Sequence, residues 1–184
     1  TAFHMDFANQ IVPQSESGGV GATVTNAGKT LHQGLEGALG VALGAGWRID
    51  ANATWVPTAK YASTKIVGGI DRNGNRLPYA PELTGNLTLV YQAGGLKTAL
   101  SAHHVSSQFV DAENTAAEST DGRRGRIPAY TTLDLSAHYT VDKQLSVFGT
   151  VRNLLDKQYI ASRNPDGIFP GAERNAEIGL RYRF

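Results

Sequence analysis

Apolar and polar residues alternate one for one along much of this chain, which is the period of a strand with two unlike faces. At the end of the chain Ala176, Ile178, Leu180, Tyr182 and Phe184 share one side, while Asn175, Glu177, Gly179, Arg181 and Arg183 share the other. Leu133, Leu135, Ala137, Tyr139 and Val141 oppose Thr132, Asp134, Ser136, His138 and Thr140 in the same way. Leu83, Leu87, Leu89 and Tyr91 oppose Thr84, Asn86, Thr88 and Gln92. Trp47, Ile49, Ala51, Ala53 and Trp55 oppose Arg48, Asp50, Asn52 and Thr54. Shorter versions run through Phe3, Met5 and Phe7, through Leu35, Leu39, Val41 and Leu43, through Leu96 and Leu100, and through Leu145, Val147 and Val151. The pattern predicts eight strands, an all-β fold and no helix.

The expected connections alternate long and short. The long ones fall at about 13–26, 60–76, 112–126 and 162–171, and the short ones at Gly44-Ala45-Gly46, Gly94-Gly95 and Asp142-Lys143-Gln144. Tight turns therefore collect at one end of an antiparallel up-and-down meander and long loops at the other. Outer-membrane barrels have this asymmetry, with short periplasmic turns and long extracellular loops. Aromatic residues also gather at strand ends. Trp47, Tyr91, Tyr139, Tyr182 and Phe184 lie near the tight turns, and Trp55, Phe109, Tyr130 and Tyr159 near the long loops. Two aromatic girdles around a Leu/Val/Ala/Gly band predict a lipid-facing surface, with the polar faces turned to a lumen.

Composition changes the picture only at its margins. The 184 residues are 41% hydrophobic and 18% charged, with 21 glycines, a formal net charge of +1 and no cysteine. Charge is lower and glycine higher than in an average soluble domain. The missing cysteines exclude a disulfide framework, a cysteine-based zinc site and a thiol nucleophile. The near-neutral balance argues against nucleic-acid binding. Mean hydropathy is −0.25 and no apolar run approaches a helical span, because each strand carries a polar residue at every second position. Thr1 opens into a strand without an initiator methionine or leader pattern, so a removed leader or a longer parent chain is expected.

Four stretches resemble the C-terminal end of TonB-dependent outer-membrane receptors of the ferric-citrate and ferric-siderophore branch. They are the stretch Asn26 to Glu36, Asn75-Arg76-Leu77-Pro78-Tyr79-Ala80-Pro81 leading into Leu83, Val151-Arg152-Asn153-Leu154-Leu155-Asp156-Lys157-Gln158-Tyr159-Ile160, and Pro170 to Arg174 running on to Phe184. Leu155 stands where the family usually has Phe, and Glu173 where it usually has Pro. The resemblance implies a barrel of about 22 strands closed by an N-terminal plug, of which residues 1–184 would be the last third. It implies import of a ferric chelate with energy from the TonB complex, acting through a plug outside this chain, and contacts to outer-membrane lipid and lipopolysaccharide. It further implies that Phe184 and Tyr182 form the signal read by the barrel assembly machinery, and that no covalent cofactor is carried. A self-contained small barrel or porin-type channel, and an outer-membrane enzyme, are the alternatives.

Within that resemblance, loop arginines are suited to an anionic chelate, since a guanidinium donates two parallel hydrogen bonds to a carboxylate. Arg123, Arg124, Arg126 and Arg163 are the candidates, with Asn164 and Phe169 beside them; Arg72, Arg76 and Arg174 share the long-loop side. Arg48, Asp50, Asp134, Arg152, Glu177, Arg181 and Arg183 form the expected lumenal, plug-facing set. No metal site is expected: adjacent His103 and His104 point to opposite faces, and His4, His32 and His138 have no ligand-spaced partner. No catalytic residue is assigned. The Gly-Gly pairs at 18–19, 68–69 and 94–95 read as turns, and the stretch Asp71 to Asn75 lacks the closing acid of a calcium loop.

Overall fold

The structure is a computed structural model that describes residues 1–13, 24–26, 28–63 and 71–184. The glycine pairs at 18–19 and 68–69, and parts of the first two long loops, lie outside the described residues. Among the described residues the chain forms β1 (Ala2–Phe7), β2 (Ile11–Pro13), β3 (Val24–Asn26), β4 (Thr30–Gly44), β5 (Trp47–Tyr61), β6 (Leu83–Ala93), β7 (Leu96–Val105), β8 (Tyr130–Thr140), β9 (Leu145–Arg152), β10 (Ile160–Ser162), β11 (Phe169–Pro170) and β12 (Asn175–Tyr182), with no helix. Eight of these make one sheet in the order β1-β4-β5-β6-β7-β8-β9-β12, antiparallel throughout. The pairs β2–β3 and β10–β11 are small hairpins within the first and last long connections. The predicted eight-stranded meander and its alternation of tight turns and long loops are both observed.

Pairing register carries the sequence pattern across the wall. One row runs Leu39, Ala51, Leu87, Ala102 and Leu133, and the next Val41, Ile49, Leu89, Leu100, Leu135 and Val151. The opposite face carries Asp50, Thr88, Ser101 and Asp134 in one row, and Asn52, Asn86, His103 and Thr132 in another. Because the side-chain period is two, this register keeps every apolar residue of a row on one side. That side is bare: Ile178 is 82% and Leu180 72% exposed, with Leu35, Leu39, Leu43 and Leu87 exposed as well. Trp47, Tyr91, Tyr139 and Tyr182 end its rows near the tight turns, the Trp47 and Tyr91 rings 4.7 Å apart.

Two expectations need correction. In β1 the apolar set Phe3, Met5 and Phe7 pairs with Gly34, His32 and Thr30, placing it on the lumenal side; His4 and Asp6 take the lipid side. Gly34 makes this tolerable, because the Phe3 ring occupies the space a side chain there would need. Phe148 lies over Gly179 on the lumenal face of β9 and β12 in the same manner. The second correction concerns the aromatic girdle by the long loops. Trp55 belongs to it, but Tyr130 pairs with Val105 in a lumenal row and stacks on Tyr159 with centroids 4.2 Å apart. Phe109 lies within a loop, with the Arg126 guanidinium 5.4 Å from its ring centre.

The packed core lies where the long loops meet the end of β5. Ala59, Tyr61, Leu77 and Ala112 cluster on the lumenal side of the β5 end, with Val56 and Ala80 against them. Val110 and Ile127 are buried in the loop between β7 and β8, Ile127 fully so at 0% exposure.

Candidate ligand-enclosing loops

β5 carries one extra residue at Val56 and Pro57, since Gln33 pairs with Thr58 but Leu35 with Trp55. Such a bulge accommodates a proline and leaves carbonyls without ladder partners. Arg76 satisfies them: its Nη2 donates to the Val56 carbonyl at 2.6 Å and its Nη1 to Pro57 at 3.1 Å, while Nε donates to Ala80 at 2.7 Å. The arginine is thereby committed to the backbone, holding residues 71–82 of the loop against β5.

That loop is joined to loop 106–129 by reciprocal hydrogen bonds. The Arg76 amide donates to Asn114 Oδ1 and Asn114 Nδ2 donates to the Arg76 carbonyl, each at 2.7 Å. Asn75 Nδ2 donates to the Ala112 carbonyl at 2.8 Å and the Tyr79 amide to Phe109 at 2.8 Å. Buried Arg72 donates through Nε to Glu113 at 3.0 Å. Loop 153–174 completes the unit. The Arg163 amide donates to the Tyr79 hydroxyl at 3.1 Å, and Ser162 Oγ lies 3.3 Å from the same oxygen. Three loops that are far apart in sequence thus meet at Tyr79, one through its amide and one through its phenol.

The candidate arginines fall into distinct environments within this unit. Arg163 is 3% exposed, and its guanidinium donates to Glu118 at 2.6 Å and to the Gly122 carbonyl at 2.9 Å. Arg123 reaches Asp166 at 3.4 Å on the outside. Its loop is shaped by Asp121, whose carboxyl is held below the usual carboxylate range by the Ser119 hydroxyl and then the Arg123 amide. Arg124 is half-exposed and only loosely paired, its Nη1 3.6 Å from the far oxygen of Glu113. Asn164 precedes a cis peptide to Pro165, and its amide donates to Ser162 Oγ at 3.1 Å. Phe169 lies in β11, partly exposed. Arg174 sits at the last loop's return, where its amide donates to Asp156 at 3.0 Å.

The expected lumenal residues do share the polar face. Arg48 pairs with Asp50 at 2.6 Å and Arg152 with Glu177 at 3.7 Å. Asp134 lies 3.4 Å from His103 Nε2 and also accepts the Asn153 amide at 2.9 Å. His104 turns the other way, its Nδ1 2.9 Å from Thr131 Oγ1. Among the described residues no three His, Asp or Glu side chains gather as metal ligands. Sequence reasoning passed over Tyr79, Glu113, Asn114, Glu118 and Asn153. Asn153 is buried and holds the last loop by donating to the Lys157 and Ala172 carbonyls at 3.0 and 2.9 Å. The only local signal was its place in the most family-like segment.

A two-faced sheet with an exposed apolar band, short turns at one end and an interlocked loop unit at the other defines a transmembrane β-barrel wall. The chain belongs to the family described as TonB dependent receptor-like, beta-barrel, whose model matches residues 1–154. Barrels of this family lie in the outer membrane of Gram-negative bacteria, and the chain is part of such a wall. It is 33% identical to the ferric enterobactin receptor PirA of Pseudomonas aeruginosa over 99% of its length and 24% of that protein's. Its fold matches the unliganded ferric citrate transporter FecA with a TM-score of 0.79 and 30% identity, covering 97% of this chain and 27% of that one. The siderophore receptor PiuA of Acinetobacter baumannii matches with a TM-score of 0.74 at 21% identity, over 98% and 25% of the two chains. The chain therefore spans about a quarter of the length of these relatives.

Proposed function

We propose that this chain is the C-terminal portion of a receptor that imports an anionic ferric chelate, ferric citrate or another siderophore complex, across the outer membrane with energy from the TonB complex. The observation that carries this reading is the interlocked loop unit at the long-loop end of a family wall, with Arg124 half-exposed and loosely paired. An oxyanion of the chelate competes with Glu113 for Arg124 at little cost, because the tight partner of Glu113 is Arg72. Arg123 and Arg126 flank Arg124 in the chain, and Asn164 and Phe169 lie in the loop joined to theirs. Arg163 supports the site from within by holding Glu118 and the Gly122 carbonyl. The iron arrives chelated as cargo, with no covalent cofactor.

In the same reading the lumenal set Arg48, Asp50, Asp134, Arg152, Glu177, Arg181 and Arg183 faces a plug contributed by a longer chain. The apolar face meets lipid and lipopolysaccharide, and Tyr182 and Phe184 are read by the assembly machinery. The test is iron-limited growth of a deletion strain on a panel of ferric chelates. Growth should fail on one anionic chelate and return with the full gene. Equal growth on every chelate contradicts the proposal. A porin-type channel would instead alter uptake of small solutes without regard to iron.

A further inference from the structure

The lumenal wall distributes its charges unevenly. Arg48, beside the tight turn that opens β5, and His103 and Arg152, farther toward the long loops, each have a carboxylate within 2.6 to 3.7 Å. At the tight-turn end the lumenal rows of β8, β9 and β12 bring His138, Ser146, Arg181 and Arg183 together beside Lys143 of the turn. They line a hollow of about 170 Å³. Among the described residues, none of these cations has a carboxylate within ion-pair distance. The hollow's one acid, Asp142, is occupied with the turn: its Oδ1 accepts the amides of Gln144 and Leu145, both at 2.8 Å.

Two guanidiniums and an ammonium lining one small hollow repel one another unless an anion sits between them, and the Ser146 hydroxyl beside them can donate to that anion. Arg181 and Arg183 are two residues apart on one strand face, and each offers a fork that fits a carboxylate. We propose that this hollow is a carboxylate-binding subsite at the periplasmic end of the lumenal wall. The proposal rests on the reading of this face as the lumen of a chelate receptor. The carboxylate comes either from an acidic side chain of the protein segment that fills the lumen or from an anionic chelate leaving toward the periplasm. Both present the same group to Arg181, and one experiment separates them.

The full receptor is purified and treated with phenylglyoxal, which modifies accessible arginines, and the rate at Arg181 and Arg183 is followed by mass spectrometry with and without iron-free citrate. A free small-molecule subsite gives fast modification that citrate slows about tenfold once it is present at about ten times its dissociation constant. A protein carboxylate in the hollow gives slow modification without citrate that becomes fast as salt rises to about 1 M, where screening reaches a few ångströms. Rates that are fast and unaffected by citrate overturn the subsite, as do rates that stay slow at both salts. Ferric-chelate binding by the same preparation reports separately on the receptor proposal, so the two failures are distinguishable.

Discussion

The wall and the loop unit of this molecule are stabilised in opposite ways. The wall is one sheet thick, and its apolar rows face outward, where lipid supplies the packing that a soluble protein builds for itself. The loop unit has an interior, formed by the loop residues Leu77, Val110, Ala112 and Ile127 packed with Ala59 and Tyr61 at the end of β5. Most buried polar side chains follow the same division: Arg72, Gln108, Asp111, Asn153 and Arg163 lie beyond the strands, and Thr30 lies at the loop-end start of β4. Hydrogen-bonded ladders and a membrane suffice for the first region. The second needs side-chain complementarity between segments 40 to 80 residues apart.

Substitutions should separate the two regions. Ile127→Ala removes a fully enclosed side chain and leaves a cavity, at a cost of about 2–5 kcal/mol. Hydrogen exchange in the full receptor should show lost protection in 106–129 and unchanged protection in the strands. Leu87→Arg puts a charge in the lipid-facing band and should destabilise the folded barrel by about 2–4 kcal/mol. The adjacent Thr88→Arg, on the lumenal side, should cost far less in the same denaturant titration. Arg124→Gln leaves the loop core intact and should weaken binding of an anionic ferric chelate about tenfold at low salt. The difference should shrink as ionic strength rises, and equal affinity at all salts would remove Arg124 from the site.

The smallest effect is expected at a tight turn. Amides of Gln144 and then Leu145 hold the Asp142 carboxyl below its usual value of 3.8. A depressed carboxylate pKa stabilises the fold above the unfolded-state value, and that contribution is lost as pH falls through the lower folded value. The turn should be insensitive to pH near neutrality and loosen only below about pH 4. In the Asp142→Asn variant, amide shifts at Leu145 should lose that acid dependence.

How much of each region was legible follows from the same physics. Wall strands announce themselves because lipid on one side and lumen on the other force an alternation local to each strand. Leu87, Thr88, Leu89 and their neighbours were placed on the correct faces from sequence. β1 was not, since three apolar residues look alike on either face and only the pairing of Phe3 with Gly34 decides. The loop unit was nearly silent. Arg163 lies between Ser162 and Asn164 and reads as a loop arginine open to a chelate, yet it is buried by partners about 40 residues away. Glu113 carried no local signal and Tyr79 only its place in a family-like stretch, because their roles exist only after three loops have met.

The division into a lipid side and a lumenal side can be measured directly, because the chain has no cysteine of its own. Single cysteines at 87, 88, 89 and 90 of the full receptor, with any cysteine outside this chain replaced by serine and the spin label read in a bilayer, report collision with dissolved oxygen, which concentrates in lipid. High collision rates at 87 and 89 and low rates at 88 and 90 are predicted. Equal rates at all four positions, or the reverse order, would contradict the assignment of this sheet as a membrane wall.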